Sequence, residues 1–244
     1  MASPDVVYED RHILILNKPS GILSQKAREQ DISLNEMLLN YLISSGKLTS
    51  QQLRAFRPSI CNRLDRNTSG LVAAGRSLAG LQILSQAFKD RSMEKYYQCI
   101  VKGRVEESQK IQGFLVKDEA SNRVFICSRP EENSLPIATE YRPLAYGDGM
   151  TLLQVELLTG RSHQIRAHLA SIGHPIGGDS KYGDARFNRL LRENCGITSQ
   201  LLHAWKLVMP QSLDEPLSYL SGKSFCAPVP EEFRRVEKRY FPSL

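Results

Sequence analysis

The segment that decides the fold is Arg63-Leu64-Asp65-Arg66-Asn67-Thr68-Ser69-Gly70, and the apolar run Leu71-Val72-Ala73-Ala74 follows it directly. The first part concentrates turn-forming and hydrogen-bonding side chains, whereas the second has the character of a buried strand. The pattern therefore predicts a loop that delivers an acidic side chain beside a buried strand. Local pattern alone leaves a second interpretation open, in which Asp65 only caps backbone N–H groups in an Asx or ST turn.

Apolar spacing on both sides of this segment predicts a mixture of strands and helices. Upstream, residues 6–8 and 13–16 have the character of short strands, and Ser33 and Glu36 have the spacing of a capping box at the start of a helix over 33–44. Downstream, we expect a helix over 77–90, strands in the region 96–158, a helix over 162–172, a strand over 201–209 and a loop-rich tail. Helices and strands do not alternate regularly, so the fold class is α+β rather than a parallel α/β sheet.

Composition and length restrict the class of protein. A chain of 244 residues with 41% hydrophobic residues can bury a substantial core, and we expect a single domain over residues 1–244. The sequence has neither a secretory signal nor a long apolar run, which predicts a soluble cytoplasmic protein. The five cysteines are odd in number and lack a C-x-x-C pair, which argues against a disulfide framework and a zinc knuckle. The net charge of +6 favours a polyanionic partner such as nucleic acid.

The segment 63–70 resembles the central motif of the RluA-type pseudouridine synthases, in which arginine-leucine-aspartate precedes threonine-serine-glycine and the aspartate is the nucleophile. The resemblance extends from Val6 to Phe233. Further matching stretches follow in the family's order: Asn17-Lys18-Pro19-Ser20-Gly21, Lys95-Tyr96-Tyr97, Thr159-Gly160-Arg161-Ser162-His163-Gln164-Ile165-Arg166, Gly173-His174-Pro175-Ile176-Gly177-Gly178-Asp179, Leu202-His203-Ala204-Trp205 and Ala227-Pro228. One departure is Asn62, where many members have histidine.

The resemblance implies both a fold and an activity. The implied fold is a mixed, largely antiparallel sheet flanked by helices, with a central catalytic cleft and without the S4 domain that many relatives carry. The implied reaction breaks the C1′–N1 bond of a uridine in structured RNA, rotates the base and rejoins it through C5. It requires no cofactor. Ribosomal RNA is the favoured substrate and transfer RNA the alternative. The protein is expected to be a monomer that needs no obligate protein partner and does not bind a membrane.

The resemblance also assigns three catalytic residues. Asp65 would be the nucleophile, Arg166 the cation that favours its charged form, and Tyr97 the aromatic side chain that stacks on the target base. Each has a structural alternative. Arg166 could be an exposed helical arginine of little consequence, and Tyr97 could be an ordinary core tyrosine on a strand.

Four further residues are predicted to contact the substrate: Arg63, Arg161, His163 and Gln164. Arg63 would fill the space that the flipped uridine leaves in the RNA, although it could instead be an ordinary ion-pair partner. A metal site is not expected, because His163 and His168 lie about 140° apart on a helix.

Two rival functions remain open at this point. A non-catalytic RNA-binding module would have no need to retain Asp65, Tyr97 and Arg166 together. A glycoside or nucleoside hydrolase would suit Asp65, but such enzymes normally use a pair of carboxylates. Asp179 is the partner suggested by motif proximity, and it is better explained as ordering a glycine-rich turn.

Overall fold

The structure, a computed structural model, describes residues 3–242. Contacts between residues group the chain into two units. Unit 1 comprises Met1–Glu94 and Ala204–Ala227, and unit 2 comprises Lys95–His203 and Pro228–Leu244. Each unit is therefore assembled from two separate stretches of the chain. That residues 1–244 act as one catalytic domain stays a prediction.

Helices and strands follow one another irregularly along the chain. In chain order they are β1 (Asp5–Glu9), β2 (Ile13–Lys18), α1 (Leu34–Ser44), α2 (Ser50–Ala55), β3 (Ser59–Ile60), β4 (Ser69–Gly75), α3 (Leu78–Lys89), β5 (Glu94–Lys102), β6 (Gln109–Asp118), β7 (Arg123–Cys127), β8 (Leu135–Gly147), β9 (Met150–Leu157), α4 (Gln164–Ser171), α5 (Ala185–Cys195), β10 (Leu202–Val208), β11 (Ser224–Cys226) and α6 (Glu231–Tyr240).

Unit 1 is built around β2 and β4, which are both buried. The strand order is β1-β2-β4-β10, with β3 paired to β4 and β11 paired to β10. The antiparallel register of β2 and β4 places Lys18 opposite Gly70, so the end of β2 lies beside the start of β4. Isoleucine and leucine side chains of these strands pack with α3 and with the 207–227 region in one core. This core fixes the chain immediately after Asp65.

Unit 2 contains an antiparallel sheet with the strand order β5-β9-β8-β6-β7. Helix α4 packs against this sheet, and a small core forms from Leu115, Val124, Ile137 and Ala167. Helices α5 and α6 pack on each other, and Nε of Arg235 in α6 donates to the carbonyl of Cys195 in α5 at 3.0 Å. The apolar side chains that α6 buries are Phe233 and Val236. In both units the sheets are antiparallel where register is defined, and helices flank them, as predicted for an α+β fold.

Several sequence expectations need correction. Ser33 is the N-cap residue of α1, but its hydroxyl bonds the Glu36 carboxylate instead of a backbone N–H, so the predicted capping box is absent there. A capping box forms instead at Thr49 and Gln52, at the start of α2. The tail is mainly loop as far as Pro230, as predicted, but it then forms α6, which the sequence did not predict. The other predicted helices and strands are present, with ends displaced by a few residues at most.

Within residues 3–242, no helix is long and apolar enough to cross a membrane.

Candidate active site

The Asp65 turn is closed by its own backbone. The N–H of Thr68 donates to the carbonyl oxygen of Asp65 at 3.1 Å, and Leu64 anchors the turn in the protein interior with 8% of its surface exposed. Asp65 itself is half-buried, whereas the neighbouring Arg63 is exposed. The turn thus presents an acidic side chain at the edge of a buried strand, as its sequence predicted.

Polar side chains of the 18–24 segment hold this turn from the other side. The hydroxyl of Ser24 donates to the carbonyl of Leu64 at 2.8 Å and accepts the N–H of the same residue at 2.9 Å. Ser20 Oγ donates to the carbonyl of Asn67 at 3.0 Å, and the N–H of Gly21 donates to the carbonyl of Arg66 at 2.9 Å. The backbone on both sides of Asp65 is therefore fixed by a second segment of unit 1.

Lys18 is the most buried member of this arrangement, with 0% of its surface exposed. Its Nζ donates to three carbonyl oxygens, those of Pro19 at 2.9 Å, Ile22 at 2.8 Å and Arg66 at 3.0 Å. Burial lowers the pKa of Lys18 to about 7, and the charge of Asp65 acts in the opposite direction. Three short donor contacts require the protonated ammonium, because a neutral amine offers only two N–H donors.

Asn62, the departure from the family pattern, has a structural role. Its Oδ1 accepts the N–H of Ala73 at 2.8 Å, and its Nδ2 donates to the carbonyl of Leu71 at 3.4 Å. The side chain thus joins the chain ahead of Asp65 to β4. This contact satisfies backbone groups that pairing with β2 and β3 leaves open at this position.

In unit 2, Arg166 forms a buried, bidentate ion pair with Asp179. Nε lies 2.7 Å from Oδ2 and Nη2 lies 2.9 Å from Oδ1, and the two residues are 5% and 1% exposed. Burial raises the pKa of Asp179, but the hydrogen bonds and charge of Arg166 outweigh it and hold that pKa below its usual range. The interpretation of Arg166 as an exposed helical arginine is therefore wrong.

Asp179 also orders the turn that follows, as expected. Its Oδ1 accepts the backbone N–H groups of Lys181 at 2.8 Å and Tyr182 at 3.1 Å. One carboxylate thus fixes both the Arg166 guanidinium and the chain that carries Tyr182. The planar guanidinium matches the carboxylate with two parallel hydrogen bonds, which sets its orientation as well as its position.

The other predicted residues of unit 2 lie at the start of α4. His163 is the N-cap residue and has a left-handed backbone conformation, with φ of 54°. The Gln164 amide is 2% exposed and bonds Thr159, Thr139, Ala138 and the N–H of Arg161. Because protein groups occupy this amide, the geometry favours an anchoring role for Gln164, and its contact with substrate stays a prediction.

Tyr182 connects His163 to the edge strand β7. The N–H of Val124 donates to the Tyr182 hydroxyl at 2.8 Å, and the same hydroxyl lies 2.9 Å from Nδ1 of His163. The guanidinium carbon of Arg166 lies 5.2 Å from the centre of the Tyr182 ring. Tyr182 therefore contacts two of the residues that the sequence predicted for the site.

Tyr97 lies on β5 opposite Val155 and is 7% exposed. This burial fits a core tyrosine and also fits a ring that forms the wall of a site, so both interpretations of Tyr97 remain open. Among residues 3–242, no three His, Cys, Asp or Glu side chains are grouped so that they could hold a metal ion.

The structure groups the predicted residues into two sets. Asp65 and Arg63 share one turn of unit 1, whereas Arg161, His163, Gln164 and Arg166 surround the start of α4 in unit 2. Sequence reasoning did not assign roles to Lys18 and Tyr182. Lys18 had a detectable signal, since a lysine that ends an apolar strand just before a turn is out of place unless it is bonded.

Comparisons with known proteins point to one family. A family profile described as RNA pseudouridylate synthase matches residues 12–171. The chain is 32% identical over 231 residues to ribosomal large subunit pseudouridine synthase D of Borreliella burgdorferi, covering 93% of this chain and 66% of the relative. It is 34% identical over 205 residues to ribosomal large subunit pseudouridine synthase C of Vibrio cholerae, covering 82% of this chain and 59% of the relative.

Solved structures agree on the fold. Human RNA pseudouridylate synthase domain containing 4 superimposes with a TM-score of 0.76 at 19% identity, over 96% of this chain and 92% of that one. The chain spans about 59–66% of the length of the two bacterial relatives. Because the family profile matches more than half of the sequence and includes the Asp65 turn, the protein belongs to the RNA pseudouridylate synthase family, and its motifs and relatives place it with the RluA type.

Proposed function

We propose that this protein is an RNA pseudouridine synthase that isomerises uridine in structured RNA, with ribosomal RNA as the favoured substrate and transfer RNA as the alternative. The observation that carries the proposal is the Asp65 turn, which backbone and side-chain hydrogen bonds hold on both sides at the edge of β4. The names of both bacterial relatives, which are ribosomal large subunit pseudouridine synthases, support ribosomal RNA as the substrate. The net charge of +6 is consistent with an RNA partner.

In the proposed reaction Asp65 is the nucleophile. The C1′–N1 bond of the target uridine breaks, the uracil rotates, and a C1′–C5 bond forms, while the hydrogen on C5 is replaced by one on N1. The reaction is an isomerisation, so no electron or group is exchanged with another molecule. An ionised carboxylate suits this role, since it can attack an electrophilic carbon and leave again.

Arg166 is the proposed cation that favours the ionised form of Asp65. The ion pair with Asp179 supports this assignment, because it holds the guanidinium in a fixed position through Nε and Nη2. A pre-oriented cation stabilises charge at a reacting centre without a reorganisation cost.

The remaining residues are proposed to hold the RNA. A uracil in folded RNA must be turned out of its stack, at a cost of a few kcal/mol, and the ring of Tyr97 would stack on it. Exposed Arg63 would enter the vacated space. Arg161 is partly exposed at the start of α4, and its guanidinium would contact an RNA phosphate. His163 would contact the RNA from the start of α4.

The test is chemical mapping of pseudouridine in ribosomal and transfer RNA after incubation with the purified protein. We expect new pseudouridines with the wild type and none with Asp65→Ala. Asp65→Asn is the matched control, because it keeps the shape of the side chain and removes only its charge, and it should be as inactive as the alanine variant. RNA binding and unfolding should change little in both variants.

The outcomes separate the rival functions. Appreciable turnover by Asp65→Ala would overturn the nucleophile assignment. RNA binding without any pseudouridine from the wild type would favour the non-catalytic RNA-binding module, and release of free uracil would favour a hydrolase. Arg166→Ala should lower the rate strongly, and an unchanged rate would remove Arg166 from the site.

A further inference from the structure

Tyr182 lies in the turn between α4 and α5, and its backbone and side chain are both held. Its N–H donates to the carboxylate of Asp179 at 3.1 Å, and the carbonyl oxygen of Asp179 accepts the N–H of Gly183 at 3.0 Å. Its hydroxyl contacts the N–H of Val124 and Nδ1 of His163. A tyrosine whose backbone and hydroxyl are both hydrogen-bonded can hold two elements of the fold in a fixed relation to each other.

The direction of each hydrogen bond at the Tyr182 hydroxyl can be deduced. Val124 offers an N–H, so the phenol oxygen is the acceptor at 2.8 Å. Burial raises the pKa of Tyr182, so the phenol keeps its hydrogen at neutral pH. That hydrogen is then directed at Nδ1 of His163, 2.9 Å away. In the neutral ring of His163, Nδ1 is therefore the acceptor and Nε2 carries the hydrogen.

The contact matters because His163 has an unusual backbone. A φ of 54° is uncommon for residues other than glycine, although histidine, asparagine and aspartate adopt it more often than most, and it costs free energy that neighbouring contacts must offset. No side-chain cap hydrogen bond fixes the N-cap at the start of α4. The hydroxyl of Tyr182 and the edge-on packing of the two rings, whose centres lie 5.7 Å apart, both constrain the His163 side chain.

The ring of Tyr182 makes a second, separate contact. The guanidinium carbon of Arg166 lies 5.2 Å from the ring centre, within the range of a cation–π interaction. Asp179 fixes this guanidinium through Nε and Nη2, and it also fixes the backbone of Tyr182. One carboxylate therefore holds both the Arg166 guanidinium and the backbone of Tyr182.

We propose that Tyr182 is a positioning residue of the active site: its hydroxyl fixes the ring of His163, and its ring packs against the guanidinium of Arg166 that Asp179 orients. The functional part of this inference rests on the proposed function, in which His163 contacts RNA and Arg166 serves Asp65. The hydroxyl therefore acts on RNA binding, and the ring acts on the chemical step. No contact of Tyr182 itself with the substrate is required.

The first test needs no turnover. Nitrogen-15 NMR of histidine-labelled protein, with the signals of His163 identified by their loss in His163→Ala, reports which ring nitrogen carries the hydrogen. In the wild type we expect the neutral ring to have its hydrogen on Nε2. In Tyr182→Phe the Nδ1 signal should shift, because its donor is gone. A wild-type hydrogen on Nδ1, or an unchanged spectrum in the variant, would overturn the proposal.

The second test separates the hydroxyl from the ring. Tyr182→Phe keeps the ring but loses both hydroxyl contacts, to His163 and to the N–H of Val124. It should raise KM about ten-fold with kcat changed less than about two-fold, since of these two partners only His163 is proposed to contact RNA. Tyr182→Leu removes the ring as well and should lower kcat by a further factor of about ten. Tyr141→Phe is the matched control, because this buried tyrosine of unit 2 loses a similar hydrogen bond, to Gln109 at 2.9 Å. Its KM and kcat should stay within about two-fold of the wild type.

A double-mutant cycle decides whether Tyr182 acts through His163. In a His163→Ala background, Tyr182→Phe should change KM less than about two-fold, because the residue that it positions is absent. A repeated ten-fold effect would mean that the hydroxyl acts by another route, and the proposal would fail. If the wild type makes no pseudouridine, the proposed function fails, and the NMR experiment still decides the contact between Tyr182 and His163.

Discussion

Lys18 illustrates how a single residue can hold a site without being part of its chemistry. Its ammonium joins three carbonyl oxygens, and one of them belongs to Arg66, directly after the proposed nucleophile. A buried charge is costly unless it is bonded on all sides. Here the carbonyl dipoles and the nearby Asp65 offset part of that cost, and burial still lowers the pKa of Lys18. The three contacts couple the end of β2 to the Asp65 turn.

Comparison of wild type with Lys18→Met should show how the cost of burying the Lys18 charge changes stability with pH. The pKa of Lys18 is about 7 in the folded protein and near its usual 10.5 in the unfolded chain. Between these values the unfolded chain binds one more proton, so the group's contribution to stability rises with pH, by up to about 1.4 kcal/mol per unit. Below pH 7 both states are protonated and the contribution is constant.

The measurement is the free energy of urea unfolding for wild type and Lys18→Met from pH 6 to 10. Their difference should grow with pH in favour of the wild type. Lys110→Met, which removes an exposed lysine of β6, should give a difference that does not vary with pH. If the difference in unfolding free energy between wild type and Lys18→Met does not vary with pH, the carbonyl contacts fully replace the water that Lys18 loses on burial.

At the scale of single residues, the sequence indicated the candidate site residues but not the hydrogen bonds and ion pairs that hold them. Motif resemblance singled out Asp65, Arg166 and His163, and the structure places them in ordered, bonded positions. The side chains that hold these residues could not be predicted. Asp179 is 13 residues from Arg166 in the sequence, and Tyr182, which contacts His163, is itself bonded to Val124, 58 residues away. Such pairs depend on tertiary packing, which local patterns do not report.

Strand β4 shows a constraint at the scale of an element. It begins Ser69-Gly70 and is buried throughout, and Gly70 has φ of +112°. A Cβ atom at Gly70 would lie 2.2 Å from the carbonyl oxygen of Ala204, in β10. Backbone atoms cannot move aside as a flexible side chain can, so only glycine allows β4 and β10 to approach so closely.

Gly70→Ala should therefore lower the free energy of unfolding by at least about 3 kcal/mol, through the clash and the unfavourable φ together. Gly46→Ala is the matched control in the same unit, since Gly46 has φ of +69° but open space around it. It should cost about 1 kcal/mol, the effect of φ alone. Denaturant unfolding measures both, and equal costs would contradict the close approach of β4 to Ala204.

The strength of each element's apolar pattern explains which elements could be predicted. Helix α1 and strands β2 and β5 bury many apolar side chains, and their spacing was detectable. Helix α3 buries only Leu84 and Ala87 fully, but Ile83 and Phe88 pack partly buried beside them, so its apolar face was also detectable. Helix α6 buries only Phe233 and Val236, and its sequence is otherwise strongly charged, so it was taken for loop. Its acidic first turn and basic last turn, which complement the helix dipole, were the available signal.

At the scale of the whole molecule, the two units are discontinuous in sequence. Unit 1 takes its second stretch, Ala204–Ala227, from far beyond the end of its first. This could not be predicted, since the sequence contains no linker or change of composition at either boundary. Family resemblance indicated the α+β class and a largely antiparallel sheet, but not which distant segments share a core.

The second stretch is essential to the core of unit 1. It supplies a group of buried side chains that pack with Ile13, Ile15 and Leu71: Leu207, Met209, Leu213, Leu217, Leu220 and Ala227. Burial of each large apolar side chain contributes about 1.5–3 kcal/mol. Their combined loss is comparable to the whole stability of an ordinary domain, about 5–15 kcal/mol.

A fragment of residues 1–94 should consequently fail to fold, whereas the same fragment joined to residues 204–227 by a flexible Gly/Ser linker should fold. Circular dichroism and urea titration would distinguish them, because only the joined form should unfold in a cooperative transition. Cooperative unfolding of 1–94 alone would mean that the 207–227 side chains only cover a core that β2, β4 and α3 already complete. Failure of both forms would mean instead that unit 1 depends on unit 2 for its stability, and the core cluster alone would not explain it.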